Sequence, residues 1–295
     1  MKNYIAFDIG GTMIKYGIIN DGGKIVSKSK TPTEAAYGGP YILEKVCERI
    51  EKTLETHEIS GICISTAGVV DYINGSIIYA NNNIPNYTGM KLKKVLEDRY
   101  SIPCEVENDV ACAGLAEQYS GASTGSKVSI CLTVGTGIGG CILIDNKIFH
   151  GASYSAGEIG YLNMLGSEFQ KLASTSALVK KVANKKNFTS HQLNGIKIFD
   201  MAKAGDNICI NSIQEMCNIL GYGIANICYV VNPRVVVIGG GIAEQRESLY
   251  YPLRQSMDKY LLPMISKNTK LVFASLGNNA GMLGAYYNFR ERRDV

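Results

Sequence analysis

Apolar and polar residues alternate near the start of the chain, and this pattern predicts strands over Tyr4–Asp8, Met13–Asn20 and Lys24–Ser29. Apolar residues at helical spacing follow and predict a helix over Tyr41–Thr56. Buried-strand runs and helical runs then alternate, so the sequence predicts an α/β protein. The remaining predicted strands cover 61–65, 104–107, 128–134, 141–144, 235–238 and 271–274, and the remaining predicted helices cover 92–100, 110–119, 174–182, 195–204, 210–230, 249–260 and about 281–290.

The opening strand, glycine turn and strand return later in the chain. The second copy runs through a predicted glycine turn over Gly135–Gly140, and a shift of 125 residues places Thr133 on Asp8 and Gly135 on Gly10. Internal similarity on this scale predicts two related α/β domains that face each other.

Composition excludes several classes of protein. The chain has 295 residues, of which 46% are hydrophobic and 19% charged, so it is long enough to bury a sizeable core. A net charge of +4 gives no argument for nucleic acid binding, and no apolar run reaches the roughly 20 residues of a membrane span. The nine cysteines are scattered without a CxxC pair, which predicts reduced, mostly buried thiols in a cytoplasmic protein.

The glycine turns are better explained as phosphate-binding turns than as a dinucleotide-binding motif. Gly135–Gly140 matches GxGxxG, but a strand follows it, whereas the dinucleotide motif must open a helix. Glycine turns between strands expose several N–H groups together, and Thr12, Thr133 and Thr136 add hydroxyl donors. Two ordinary hairpins are the alternative. A third glycine run, Gly239–Gly241, after a buried strand favours binding of a polyphosphate.

These features together resemble a known family. The segments that carry the resemblance come in the family's order and span essentially the whole chain: Phe7–Thr12 with Lys15, Glu107–Asp109, Thr133–Gly140, Gly157–Gly160 and Ile238–Gly241. They resemble the two phosphate motifs, the catalytic segment, the sugar segment and the adenosine motif of the ROK sugar kinases. The resemblance implies an α/β fold of the two-lobed actin-like ATPase (ribonuclease H-like) type with a cleft between the lobes. It implies a small domain over 1–109, completed by a C-terminal helix over about 281–295, and a large domain over 110–280.

The resemblance implies ATP, Mg²⁺ and a small-molecule sugar as ligands. Asp8 would hold Mg²⁺ directly or through water. For Lys15, a solvent-facing strand lysine is an equal alternative to a phosphate ligand. The residues implied to contact the nucleotide are Asp8, Gly10, Gly11, Thr12, Lys15, Thr133, Gly135, Thr136, Gly137, Gly239 and Gly240.

Asp109 is the expected general base for phosphorylation of the sugar 6-hydroxyl. A carboxylate within hydrogen-bond reach orients the attacking hydroxyl and accepts its proton. Asp109 lies just after the predicted strand 104–107, at the edge of an α/β sheet, and its alternative role is to cap the following helix. The residues implied to bind sugar are Gly68, Asn83, Asn108, Asp109, Glu158, Tyr161 and Gln170.

Two departures from the family pattern affect metal and substrate. Tyr161 stands where most ROK kinases have a zinc-ligating histidine, and no cysteine lies between Cys141 and Cys209, so we expect no zinc. Gln170 stands where the family's glucokinases place a glutamate. The chain therefore resembles the zinc-lacking branch, with glucose, a β-glucoside or N-acetylmannosamine left open as substrate.

Three other functions of the same domain type would have different sequence features or activities. A sugar-responsive repressor would carry a helix-turn-helix before the first phosphate motif, and Asp8 lies too near the start for one. A non-catalytic sugar-binding regulator would not need Asp8, Asp109 and Glu158 together. A chaperone-type ATPase would turn over ATP without sugar. Family members are often dimeric, and a homodimer is the remaining expectation about partners.

Overall fold

The computed structural model describes residues 2–189 and 192–294 of the chain. Its strands are β1 (Asn3–Ile9), β2 (Met13–Asn20), β3 (Ile25–Pro32), β4 (Gly61–Thr66), β5 (Val69–Asp71), β6 (Ser76–Tyr79), β7 (Cys104–Asn108), β8 (Val128–Val134), β9 (Ile138–Ile144), β10 (Lys147–Ile148), β11 (Asn163–Met164), β12 (Ser167–Glu168), β13 (Val235–Gly239) and β14 (Lys270–Phe273). Its helices are α1 (Gly39–Leu54), α2 (Leu92–Tyr100), α3 (Asp109–Ser120), α4 (Phe169–Ala173), α5 (Thr175–Lys186), α6 (Gly195–Lys203), α7 (Asn207–Val231), α8 (Arg246–Tyr260), α9 (Pro263–Asn268) and α10 (Ala280–Arg293).

Chain contacts divide the protein into two compact units. The first holds the chain up to Ser120, the segment His150–Ala156 and the chain from Asn278 onward, and the second holds Gly121–Phe149 and Gly157–Gly277. The first break follows Ser120, and α3 and α10 pack together within the first unit. The domain bounds expected from the resemblance stay a prediction.

The first unit is built on a five-stranded sheet in the order β3-β2-β1-β4-β7. The strands β1, β2 and β3 form an antiparallel meander, and β4 and β7 extend it in parallel. Apolar residues of α1 and α2 join the strands in one core, because each helix presents its apolar stripe to the sheet. The helix α10 packs on β1, β4, β7 and α3.

The second unit repeats this topology. Its sheet has the order β10-β9-β8-β13-β14, again with an antiparallel meander followed by two parallel strands. The long helix α7 supplies much of the core, and α4, α5, α6 and α8 pack against it. The equal strand orders confirm the internal repeat that the sequence predicts.

Cysteines and membrane-spanning potential bear on two further expectations. All nine cysteines are buried and free of disulfide bonds, in line with the prediction of mostly buried thiols. Within residues 2–189 and 192–294, every helix is too short or too polar to cross a membrane.

Candidate active site

One register row of the first sheet gathers polar side chains. Asp8 on β1 lies opposite Lys15 on β2 and Ser65 on β4, and Ser65 lies opposite Glu107 on β7. Residues in one register row point to the same face of a sheet. The Asp8 carboxylate accepts hydrogen bonds from Lys15 Nζ at 3.1 Å and Ser65 Oγ at 3.3 Å. Of the two roles expected for Lys15, this pairing favours a place beside the phosphate-motif carboxylate over a purely solvent-facing one.

The start of α10 packs directly on the Asp8 carboxylate. A Cβ added to Gly281 would lie 2.4 Å from Asp8 Cγ, which is closer than real Cβ atoms approach any neighbour. The helix backbone therefore forms a wall behind Asp8, and any larger residue at 281 would displace the carboxylate.

Asn108, rather than Asp109, caps the helix that follows β7. The Asn108 Oδ1 atom accepts hydrogen bonds from Val110 N at 2.9 Å and Ala111 N at 3.0 Å, which is the N-cap arrangement. Asp109 is the first helical residue, and its Oδ1 lies 2.9 Å from Val110 N. The positive end of the helix dipole favours a negative carboxylate at this position. The alternative capping role expected for Asp109 thus falls to its neighbour.

The amide of Asn108 is fully engaged by the protein. Its Nδ2 donates to Gly68 O at 2.9 Å and to Asp109 Oδ1 at 3.2 Å, while Oδ1 accepts the two helix N–H groups. An amide side chain offers two donors and two acceptor lone pairs. A sugar hydroxyl that bonded to Asn108 would have to replace one of these four bonds. Gly68 holds its place with a φ of 100°, where glycine is favoured.

The loop after β6 combines an exposed candidate sugar ligand with a buried tyrosine. Asn83 is exposed, and its backbone N donates to Asn81 Oδ1 at 3.1 Å. Tyr87 is buried, and its hydroxyl forms a hydrogen bond with Thr66 Oγ1 on β4. Burial raises the pKa of Tyr87 to about 12. Thr66 lies opposite Asn108, so this tyrosine joins the loop to strands β4 and β7, next to the expected catalytic segment Glu107–Asp109.

The second glycine turn is shorter than the sequence predicts. Val134 pairs with Ile138, so the turn is Gly135–Gly137, and the prediction that it extends to Gly140 is wrong. Ile138–Gly140 belong to β9 because the antiparallel ladder closes tightly over a three-residue loop. The backbone N–H of Thr175 holds the turn in place by donating to Gly135 O at 2.9 Å. The N-terminus of α5 therefore abuts the turn.

The third glycine run lies against the end of β8. Gly239 pairs with Thr133, and Gly240 has φ 77° and ψ 179°, a backbone conformation essentially restricted to glycine. A Cβ on Gly240 would lie 2.6 Å from Val134 O. The run can approach the end of β8 this closely only because Gly240 lacks a side chain.

The glycine turn and the last residue of the third glycine run line one cavity of the second unit. Its volume is about 860 Å³, within the usual range for small-molecule sites. The sequence-predicted residues Gly135 and Thr136 line it beside Gly241. The wall also includes residues that sequence reasoning missed, namely Thr175, Ser176, Lys180, Asn184, Phe188, Asn194, Glu244 and Gln245. The helix that carries Thr175, Ser176 and Lys180 is predicted from the sequence, but no sequence signal indicates that these residues meet the glycine segments.

The Gly157–Gly160 segment packs tightly on β9. A Cβ on Gly160 would lie 2.1 Å from Ile138 O, so the segment depends on its glycines for this approach. Glu158 is exposed, yet the surrounding atoms desolvate its carboxylate and raise its pKa. Tyr161, which stands at the family's histidine position, is half exposed.

Gln170 contacts the Gly135–Gly137 turn as well as the Gly157–Gly160 segment. Its Oε1 would lie 2.7 Å from a Cβ at Gly137 and 3.3 Å from one at Gly160, and its Nε2 donates to Glu168 Oε2 at 3.1 Å. The side chain therefore bridges two of the glycine segments. Sequence position alone suggested only the sugar.

Asp8 is the residue expected from the sequence to hold a metal ion. Within residues 2–189 and 192–294, no cluster of three or more His, Cys, Asp or Glu side chains is arranged as a metal site. Mg²⁺ commonly uses one or two carboxylates, several waters and substrate phosphates, and one partly exposed carboxylate beside a phosphate motif fits that pattern. The expected absence of zinc stays a prediction.

Comparison with known proteins identifies the class. The ROK family model matches residues 4–292, so the chain belongs to the ROK family. The beta-glucoside kinase of Klebsiella pneumoniae is 30% identical over 97% of this chain and 95% of its own, and an uncharacterized protein of Clostridium perfringens is 48% identical over 99% of both. The crystal structure of a ROK family glucokinase from Streptomyces griseus, in complex with glucose and AMPPNP, matches with a TM-score of 0.84 at 29% identity over 98% of this chain and 99% of that one. The predicted family, the actin-like α/β fold class and the carbohydrate-kinase class are confirmed.

Proposed function

We propose that this protein transfers the γ-phosphate of ATP to the 6-hydroxyl of a hexose or hexose derivative, with Asp109 as general base. The observation that carries the proposal is the division of roles at the end of β7. Asn108 caps α3, and Asp109 stands next to it at the first helical position, where its Oδ1 accepts hydrogen bonds from Asn108 Nδ2 and Val110 N. A regulator that only binds sugar has no need of a carboxylate held in this way.

The nucleotide would occupy the cavity of the second unit. Its glycine turn, Gly135–Gly137, offers backbone N–H groups to the phosphates, and Thr136 adds a hydroxyl. The N-terminus of α5 at the same turn favours negative charge. Gly241 and the helical wall leave room for the nucleoside. The relative crystallised with AMPPNP supports ATP as donor.

Catalysis would combine positioning with proton transfer. The Asp109 carboxylate would hold the sugar hydroxyl and accept its proton as the oxygen attacks the γ-phosphorus, an effect worth about 10²–10⁴-fold in rate. Asp8 would hold Mg²⁺, which neutralises phosphate charge when it is bound. Lys15 keeps the Asp8 carboxylate oriented in the same register row.

The sugar site would combine a hydrogen-bond acceptor with hydrogen-bond donors. Glu158 accepts hydrogen bonds from hydroxyl groups when it is ionised, and Tyr161 and Asn83 are exposed donors. We assign Asn108 and Gly68 to the positioning of Asp109, because their mutual bond and the helix cap already use the Asn108 amide. Glucose, a β-glucoside and an N-acetylhexosamine remain the candidate acceptors. The nine cysteines are all buried and form no disulfide bonds, which supports the reducing cytoplasmic setting that the sequence predicts.

The test is an Asp109→Asn variant in a coupled ADP-release assay. The acceptors are glucose, mannose, N-acetylmannosamine, N-acetylglucosamine, fructose and cellobiose, compared by kcat/KM. We expect kcat to fall at least about 100-fold, while calorimetry still detects sugar binding. Asp98→Asn is the matched control, because Asp98 is exposed on α2 and pairs with Lys94 in a surface ion pair.

Each other outcome has a definite meaning. An Asp109→Asn variant that keeps more than about a tenth of the wild-type kcat removes Asp109 from the base role. Wild-type protein that binds a sugar without phosphorylating it supports the regulator. ATP turnover that does not require sugar supports the ATPase.

A further inference from the structure

Glu107, next to the proposed catalytic segment, is a buried carboxylate whose two oxygens have separate partners. It is only 1% exposed. Its Oε1 accepts the backbone N–H of Asn108 at 2.7 Å, and its Oε2 lies 2.7 Å from His150 Nε2. A carboxylate only accepts, so Nε2 carries the hydrogen of this bond. The chemistry proposed above uses neither Glu107 nor His150.

The His150 ring is held in one orientation. It stacks on Tyr72 with a centroid distance of 3.7 Å and an interplanar angle of 10°, and Tyr154 meets Tyr72 edge-on at 5.5 Å. The Arg292 guanidinium lies 4.7 Å from the Tyr72 centroid. Stacked rings and a cation fix the plane of the imidazole, so its Nε2 stays directed at Glu107.

Arg292, which lies over the Tyr72 ring, is in turn held by β7. Arg292 Nε donates to Glu105 Oε2 at 3.0 Å. Glu105 and Glu107 are two residues apart on one strand and so share a face of the sheet. One wall of aromatic and charged groups therefore runs beside β7 up to the catalytic segment.

His150 is also the first residue of a short segment that belongs to a different unit from its neighbours in the chain. The segment His150–Ala156 belongs to the first unit, whereas Phe149 before it and Gly157 after it belong to the second. The bond to Glu107 is thus the first anchor of a segment that leads straight into Gly157–Gly160. Its side chain is 16% exposed.

We propose that His150 is a positioning residue for phosphoryl transfer, acting through Glu107. The inference rests on the proposed kinase function. The Glu107 carboxylate can hold the Asn108 N–H in place only while its other oxygen is also satisfied, because a buried carboxylate left short of donors draws in water or rotates. Either response moves the peptide that carries Asp109. A displacement of about 1 Å at a catalytic group can cost roughly 100-fold in rate.

The main test compares three substitutions at one position. His150→Phe keeps a ring for Tyr72 but removes the donor, and we expect kcat to fall about 10- to 100-fold with little change in KM for ATP. His150→Gln can place its amide nitrogen near the position of Nε2 and should recover most of the loss. His150→Asn carries the same amide on a shorter side chain and should not. Equal kcat in the Phe, Gln and Asn variants overturns the proposal.

A second variant addresses the charge on Glu107. In the His150→Phe background, Glu107→Gln removes the unpartnered charge and keeps an acceptor for Asn108 N. We expect kcat of the double variant to exceed that of His150→Phe alone. Independent, multiplicative losses from the two substitutions would show that the residues do not act as a pair.

A readout without catalysis separates this inference from the kinase proposal. Hydrogen–deuterium exchange of peptides covering 104–112 should rise in His150→Phe, whereas exchange in α5 should not change. If no sugar is phosphorylated by the wild type, the proposed function fails and the exchange data still decide the role of His150. Unchanged protection at 104–112 contradicts it.

Discussion

Replacement of Gly240 by alanine isolates the close approach that joins the third glycine run to β8. The residue has φ 77° and ψ 179°, and a Cβ would lie 2.6, 2.7 and 2.9 Å from the O, N and C atoms of Val134. The backbone strain costs about 1–3 kcal/mol and forced overpacking about 1–3 kcal/mol. Because the contacted atoms are backbone, they cannot swing aside as a flexible side chain would. We expect Gly240→Ala to lower the free energy of unfolding by roughly 2–6 kcal/mol.

The matched control is the adjacent glycine. Gly241 has no atom within 4 Å of an added Cβ and lies outside the positive-φ glycines, so Gly241→Ala should change stability little. Urea unfolding followed by far-ultraviolet circular dichroism measures both variants, since the chain has no tryptophan to report. Gly240→Ala should also raise KM for ATP if it folds, because the run must move away from the phosphate turn. A difference below about 1 kcal/mol between the two variants would refute the steric argument.

Three further predictions follow from single contacts. Gly281→Ala should raise KM for MgATP roughly tenfold in the ADP-release assay, because the new Cβ would lie 2.4 Å from Asp8 Cγ and displace the carboxylate; an unchanged KM would contradict the wall behind Asp8. Tyr87→Phe should cost about 1 kcal/mol in urea unfolding by removing the bond to Thr66. That cost should stay constant to about pH 10, because burial raises the pKa of Tyr87 to about 12 and keeps the phenol protonated. Burial raises the pKa of Glu158, so its carboxylate ionises later than usual, and KM for sugar should fall as the pH rises from about 5 to 8 in the wild type but not in Glu158→Gln.

Periodicity and buried runs predicted most of the architecture. The alternation of apolar and polar residues in β2 and the apolar stripe of α1 are strong signals, because each marks the buried face of a regular element. The repeat was visible because both sheets place a glycine turn after their first strand. Short elements escaped prediction: β11, β12 and α4 are two to five residues long, too short to show a period.

The candidate site was predictable in its glycines and carboxylates but not in its hydrogen bonds. The choice between Asn108 and Asp109 as helix cap depends on a one-residue shift in where α3 begins, and both residue types are good caps. The contact of Gln170 with Gly137 depends on how α4 packs on the second sheet. His150 gave no signal because its partner lies 43 positions earlier in the sequence.

The register of the first sheet explains why these side chains act together. Lys15, Asp8, Ser65 and Glu107 occupy one row across four strands, and a row in register cannot slip by one residue without turning every member to the opposite face. The row ends at Glu107, one residue before Asn108. The register of the sheet therefore also sets the positions of the α3 cap and of Asp109. The phosphate-motif carboxylate and the proposed base are therefore set by one sheet. Its alignment is fixed by the apolar residues of the opposite face, which also hold the core together.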